Sequence, residues 1–286
     1  MLPLEWKYPQ AVLAERQRVA AQSDMRGKIL FDLAGRPPYA WGLLTAAEAA
    51  KFFGIKRFTA IEFGVADGGG LLELSRLAEV VSQEVQVAID VVGFDNGSGL
   101  PAPLDYRDHP EIWSSGDFAM ANRESLYAQL PSGSRLILGD VKDTVRSFLV
   151  TLSRDAPIGF CSFDVDLYSS TMSALKIYGA SAEFYLPVGV AYFDDTIGGA
   201  GGIGSLCRNI RSGQLLAIEE FNAATNDRVI DSIRTLRYRR PLSQEQWLDQ
   251  VYGVHVLDHP LRNYEKRKVP ATMQQHAVLA DLRWRL

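Results

Sequence analysis

Five short apolar runs, Thr59 to Gly64, Ala88 to Asp95, Arg135 to Asp140, Gly159 to Asp164 and Val188 to Asp194, each close on a glycine or an acid and alternate with longer stretches of helical texture. Alternation of this kind specifies a mostly parallel sheet with helices on both faces, a doubly wound α/β architecture. Ligands of such open sheets bind in the crevice outside the carboxyl ends of the strands. The closing glycines and acids therefore fall where chemistry is expected.

The rest of the chain is arranged around these runs. Residues 1–57 hold two helical stretches, Ala11 to Gln22 and Thr45 to Phe53, separated by the turn signal Arg36-Pro37-Pro38, and are expected to form an N-terminal helical cap. Residues 58–286 are expected to form the sheet domain, with a core over 58–222 and C-terminal edge strands over 223–286, all in one globular unit. A helix is expected around Gln214 to Asn222, then two strand candidates, Tyr252 to Asp258 and Thr272 to Ala280, as an antiparallel closing pair at one sheet edge.

Lys and Arg total 30 against 34 Asp and Glu, and the net charge of -4 disfavours nucleic acid as a partner. The basic cluster Arg234 to Arg240 lacks alternating aromatics for base stacking and reads as a solvated face. Cys161 lies in an apolar run, as a reduced interior thiol does. No stretch has the makeup of a signal peptide or a membrane span, so a cytoplasmic location without a membrane partner is expected.

The first run passes into Glu62-Phe63-Gly64-Val65-Ala66-Asp67-Gly68-Gly69-Gly70 and a helix beginning near Leu71. Glycines there let backbone pass close to a ligand, and the helix start offers unpaired amides. The same turn also serves merely to pack a helix on a strand. The second run ends at Asp95, before Asn96-Gly97-Ser98-Gly99-Leu100-Pro101, where an acid can accept both hydroxyls of an adenosine ribose. At the end of the third, Asp140 can accept from an adenine amino group while Val141 covers the ring. Asp140 equally fits as the N-cap of the helix through Val145 and Phe148, and the two roles can coexist.

The fourth run is the most informative. Phe160-Cys161-Ser162-Phe163-Asp164-Val165-Asp166-Leu167-Tyr168-Ser169-Ser170-Thr171 delivers two acids in quick succession, and the fifth ends in Tyr192-Phe193-Asp194-Asp195. In doubly wound order these tips are neighbours, so Asp164, Asp194 and Asp195 can converge. Carboxylates so close repel one another unless a cation binds or one is protonated, and an oxygen-only set favours Mg2+. Asp195 alternatively caps the next helix, and Asp166 reads more readily as the cap of a helix starting at Ser169.

Together, Glu62-Phe63-Gly64-Val65, Asp95 with Gly99-Leu100-Pro101, Gly139-Asp140 with Asp143-Thr144, Asp164 through Thr171, and Asp194-Asp195 resemble the successive motifs of the macrocin O-methyltransferase family. More distantly, the same order is similar to catechol O-methyltransferase. The resemblance covers about residues 58 to 222 and implies a class I, Rossmann-like methyltransferase fold. It also implies a divalent metal on Asp164, Asp194 and Asp195, and S-adenosylmethionine held by Glu62, Gly64, Asp95 and Asp140. Val65, Asp67, Gly68, Gly69, Asn96, Ser98, Val141 and Asp164 complete the expected cofactor contacts. Two departures stand out. Where the catechol enzymes carry a lysine as general base, this chain has Leu167 and Tyr168, and Tyr185-Leu186-Pro187-Val188-Gly189 lacks the paired glycines usual in macrocin relatives.

The expected reaction is O-methylation of a small hydroxylated molecule, a vicinal diol, catechol or sugar, whose neighbouring oxygens a metal can hold and acidify. Catalytic candidates are Asp164, Asp166 and His109, the last in the loop Asp105 to Pro110, which can fold over the cofactor with Arg107 and Trp113. None of His109, His255, His259 and His276 shows metal-ligand spacing with a cysteine or another histidine. The glycine-rich segment Gly198 to Ser212 reads as a lid. Related enzymes often dimerise, which makes a homodimer a candidate state. Two alternatives stay open: an NAD(P)-binding Rossmann oxidoreductase, which shares the glycine turn and Asp95, and a non-catalytic S-adenosylmethionine-binding protein, which the missing lysine permits.

Overall fold

A computed structural model describes residues 3–21, 25–198 and 202–262. Its strands are β1 (Arg57–Phe63), β2 (Ala88–Asp95), β3 (Ser134–Leu138), β4 (Ile158–Phe163), β5 (Tyr185–Phe193), β6 (Arg228–Ser232) and β7 (Val251–Val256). They form one seven-stranded sheet in the order β3-β2-β1-β4-β5-β7-β6. β1 to β5 pair in parallel, and β7 runs antiparallel to both β5 and β6. The chain winds outward from β1 to β3 and then returns to lay β4 against the other side of β1. That reversal opens the crevice in which ligands of doubly wound sheets bind.

The helices are α1 (Leu4–Lys7), α2 (Gln10–Ala20), α3 (Met25–Leu30), α4 (Pro37–Phe52), α5 (Gly69–Val85), α6 (Arg123–Gln129), α7 (Val141–Leu149), α8 (Tyr168–Ala174), α9 (Ile203–Cys207) and α10 (Gly213–Ala224). Strand residues alternate between two cores, as a period of two requires. Phe58, Ala60, Val91, Phe160, Val190 and Tyr192 face α4 and α5. Ile61, Phe63, Val92, Phe94, Cys161, Phe163, Ala191 and Phe193 face the side covered by α7, α8 and α10. Residues 37–52, assigned above to the cap, pack as α4 directly on β4 and β5. Its small residues Ala40, Ala46, Ala47 and Ala50 are fully buried, which lets the helix lie close to the strands.

At the carboxyl ends of the central strands four phenylalanines stand in register. Phe63 pairs with Phe94 and Phe163, and Phe163 with Phe193. Their rings stack with centroids 4.9, 5.2 and 4.6 Å apart, and Tyr252 of β7 closes the row edge-on at 5.2 Å. Each such pair contributes about 0.5–1.5 kcal/mol beyond the area it buries.

The C-terminal pairing differs from expectation. The strand over Tyr252 to Asp258 exists as β7, but its outer partner is β6, a short strand carrying Arg228 and Asp231 that no apolar run announced. Thr272 to Ala280 and His276 lie outside the described residues. Arg240, read as part of a solvated cluster, is buried: it donates to Asp32 at 2.5 Å and to the carbonyls of Ile29 and Leu30, with Trp247 beneath it. Among the described residues no helix is long and apolar enough to cross a membrane.

Phe163 touches a stacked ring on both sides, so Phe163→Ala should cost about 3–5 kcal/mol, read as a lower urea midpoint. A loss below about 1 kcal/mol would show that the row does not hold the strand ends together.

Candidate active site

Each phenylalanine of the row is followed by a residue at the strand tip: Asp95 is the last of β2, and Gly64, Asp164 and Asp194 come directly after β1, β4 and β5. They therefore emerge at one level around a cavity of about 620 Å³ at the switch point. Gly64 adopts φ +85°, and a Cβ there would fall onto the Asp164 carbonyl oxygen, so only glycine lets β1 and β4 part this closely. The cavity is walled by the turn after β1, by Asn96, Leu100 and Pro101, by Trp113 and Phe118, and by Asp140 with Val141.

Asp95 proves to be an organiser as well as a wall. One carboxylate oxygen accepts from the amides of Val65 and Ala66 at 2.8 and 2.9 Å, and the other from Gly97 at 2.6 Å. It thereby ties the turns after β1 and β2 together. Asp140 likewise takes the cap role on α7, accepting from Lys142 N at 2.8 Å, while lining the cavity. Asp67 accepts from Ala121 N at 2.8 Å, and Asn96 closes its own turn by donating to Gly99 O at 2.6 Å.

Glu62 is 1% exposed. One oxygen accepts from the Tyr39 hydroxyl at 2.6 Å, and that hydroxyl accepts from Ser162 Oγ at 2.8 Å. The other oxygen, Oε2, is buried without a hydrogen-bond partner. Burial pushes the carboxyl up to about 7 against the opposing pull of Tyr39 and Arg36. Arg36, at the start of α4 with φ +41°, sets its guanidinium over the Tyr39 ring at 5.2 Å and lines the same cavity. No acid among the described residues lies within ion-pair distance of it.

Asp164, Asp194 and Asp195 bring carboxylate oxygens within 4.8 Å of one another. Burial, reinforced first by Asp194 and then by Asp166 and Asp195, raises the Asp164 carboxyl well above the usual range. Asp194 has one oxygen engaged by the Tyr192 hydroxyl, and Asp195 one oxygen engaged by Arg208. The remaining Asp195 oxygen is buried and unpartnered. Its carboxyl is pushed up to about 6 by burial, opposed by Arg208. Hard oxygens, repelling one another and with one orphaned in the interior, fit a divalent cation of the Mg2+ kind.

Gln214, fully buried in α10, holds the two strand tips in place. Its amide nitrogen donates to Phe163 O at 3.0 Å and its oxygen accepts from Asp195 N at 2.8 Å.

The capping role expected for Asp166 is not realised. Its backbone turns left-handed at φ +58°, α8 begins beyond Leu167, and the carboxyl faces Asp195 and the cavity, pushed up to about 8 by burial and then by Asp195 and Asp194. Asp195 does not cap a helix either, being taken by Arg208. Of the expected cofactor contacts, Glu62, Gly64, Val65, Asp67, Gly69, Asp95, Asn96, Asp140, Val141 and Asp164 line the cavity. Gly68 and Ser98 do not: Gly68 is pressed against Leu126, and Ser98 turns outward onto Asn96. His109 is 3% exposed and sits behind Gly213, outside the lining. Arg107 lies over Tyr168 and pairs with Asp105, whereas Trp113 does reach the cavity. Arg36, Arg208 and Gln214 carry no local signal in the sequence; packing alone brings the two arginines to the cavity and the glutamine to the strand tips.

No protein-family model matches the sequence, and no curated protein does. Several of the solved structures similar to the chain carry methyltransferase names. NovP, an O-methyltransferase, shares 16% identity over 77% of this chain and 79% of its own, with a TM-score of 0.49. CalS11, a calicheamicin methyltransferase, shares 19% over 77% and 85%, with a TM-score of 0.45. CmcI, described with Mg and SAM, shares 18% over 73% and 69%, with a TM-score of 0.38.

Replacing Gln214 by Leu removes both bonds across the strand tips. Each orphaned group should cost about 1–3 kcal/mol, measured by urea denaturation, with faster hydrogen exchange at the Asp195 amide. Unchanged exchange there would count against the bridge.

Proposed function

We propose that the chain is an S-adenosylmethionine-dependent O-methyltransferase that works with Mg2+ on a small acceptor bearing neighbouring oxygens, such as a vicinal diol, catechol or sugar. The observation that carries this reading is a single cavity that combines two complements. Arg36 and the unpartnered Glu62 oxygen match the two charges of an α-amino acid, and Asp164, Asp194 and Asp195 match a hard cation. A dinucleotide would leave both without a task.

When bound, S-adenosylmethionine supplies an electrophilic methyl group, and the cation supplies the charge that acidifies a coordinated hydroxyl. The chain supplies the rest. Glu62 accepts from the ammonium and Arg36 donates to the carboxylate of the methionyl part. Asp95 keeps the Val65 and Ala66 amides in place and retains accepting capacity for a ribose hydroxyl, while Val141 covers the adenine and Asp140 takes its amino group. Asp164, Asp194 and Asp195 hold the cation, and Asp166 beside them receives the acceptor's proton. Leu100, Trp113 and Phe118 wall the cavity, and fixing both reactants at contact distance contributes much of the acceleration.

Calorimetry with S-adenosylhomocysteine and with methylthioadenosine, which lacks the amino-acid end, tests the first half. The former should bind at least about tenfold more tightly, and Arg36→Met should erase most of that difference while leaving methylthioadenosine within about twofold. Absence of binding by both nucleosides would end the reading. For the second half, methyl transfer to polyphenols or glycosides should stop on chelation and return with Mg2+. Asp194→Asn should lose turnover yet keep S-adenosylhomocysteine affinity; full turnover in that variant would refute the cation's role.

A further inference from the structure

The loop carrying His109 meets the segment after β5 at a second group of side chains, outside the cavity lining. His109 Nδ1 lies 3.6 Å from a Glu111 carboxylate oxygen, and Glu111 shares a hydrogen bond with the Cys207 thiol. One ligand atom from each of His109, Glu111 and Cys207 falls within 4.8 Å of the other two. Far apart in sequence, the histidine and the cysteine have no spacing by which they announce each other.

The histidine is held firmly. It follows the turn Tyr106–Asp108 with its backbone left-handed at φ +52°, and its ring packs against Gly213, where a Cβ would come within 2.7 Å of Nε2. Asp108, buried beside it, accepts from Leu104 N at 2.9 Å and from Ser169 N at 2.8 Å, which fastens the loop to α8. Glu111 is exposed and Cys207, at the end of α9, is partly so. The group therefore has a rigid inner ligand and an open outer side.

Nitrogen, sulfur and oxygen donors in one place differ in kind from the all-oxygen group in the cavity. Such a set suits a borderline-soft ion in four coordination, with water in the position the chain does not fill. We propose that His109, Glu111 and Cys207 form a zinc-type site that clasps the loop over residues 105–113 to the segment carrying Arg208. On binding, the Cys207 S–H bond breaks, its proton leaves to solvent and the sulfur electron pair forms the metal bond. Nothing is oxidised or reduced.

The clasp has a consequence for the cavity wall. Trp113 lies on one side of it and Arg208 on the other, with the guanidinium 5.8 Å from the indole ring, and both line the cavity. Loading the site fixes the two against each other. The inference is independent of methyl transfer and stands or falls by metal binding alone.

The test is a titration of the full-length, chelator-stripped protein with Co2+. A thiolate-to-cobalt absorption band should appear, reach the intensity of one thiolate-bound ion per chain and bleach on adding Zn2+. Because Cys161 is fully buried in the sheet core and the chain has 2 cysteines, a sulfur signal reports Cys207. Cys207→Ser should abolish the band, Glu111→Gln, at an exposed position, should weaken Co2+ binding, and Asp194→Asn should leave the band unchanged. No band in the wild-type protein, or one that survives Cys207→Ser, overturns the proposal.

Discussion

The row of stacked rings formed by Phe94, Phe63, Phe163 and Phe193 is the interaction on which the site depends. Parallel strands have no hairpin to fix their relative register, and a slip by one residue would carry every side chain to the opposite face. Aromatic rings in register across four strands penalise such a slip, because a displaced strand would pull its ring off the rings it stacks on. Because the row lies at the carboxyl ends of these strands, each following residue stands at the same height. Asp95, Gly64, Asp164 and Asp194 thus share a rim without any of them having to bond to another.

That rim concentrates negative charge, and the fold tolerates it through a few directed compensations. Arg208 sits on Asp195, the Tyr192 hydroxyl on Asp194, and Arg36 over Tyr39 near Glu62. Each takes one oxygen or one side of an acid that lines the cavity. The buried oxygens of Glu62 and Asp195 that lack partners mark where compensation from within the chain stops. Acceptors left without a partner from the chain, on residues that line the cavity, are those a group entering it can satisfy.

Much of this was legible in the sequence because it is local. Five apolar runs closing on acid or glycine marked the central strands and their tips, and Asp164, Asp194 and Asp195 followed from adjacency in a doubly wound order. What could not be read depends on pairing over long separations. Arg36 reaches the rim only because α4 packs on β4 and β5, and Arg240 is buried only because Asp32 waits for it. β6 escaped notice because a short, half-exposed strand with charged positions resembles a loop until β7 pairs with it. The cap role of Asp166 fails for a different reason, while the residue itself lines the cavity. Capping preferences assume ordinary backbone, and its left-handed turn redirects the side chain toward Asp195.

The Gln214 amide bridges an acceptor and a donor, Phe163 O and Asp195 N, and this two-way bond is meaningful chemically as well as mechanically. Exchanging its amide nitrogen for oxygen, as in Gln214→Glu, would set a fully buried carboxyl beside Asp164, Asp166, Asp194 and Asp195, where it has to hold a proton to keep donating to the Phe163 carbonyl. The strand tips thus acquire a proton requirement that packing alone would overlook, because the substitution alters neither shape nor volume.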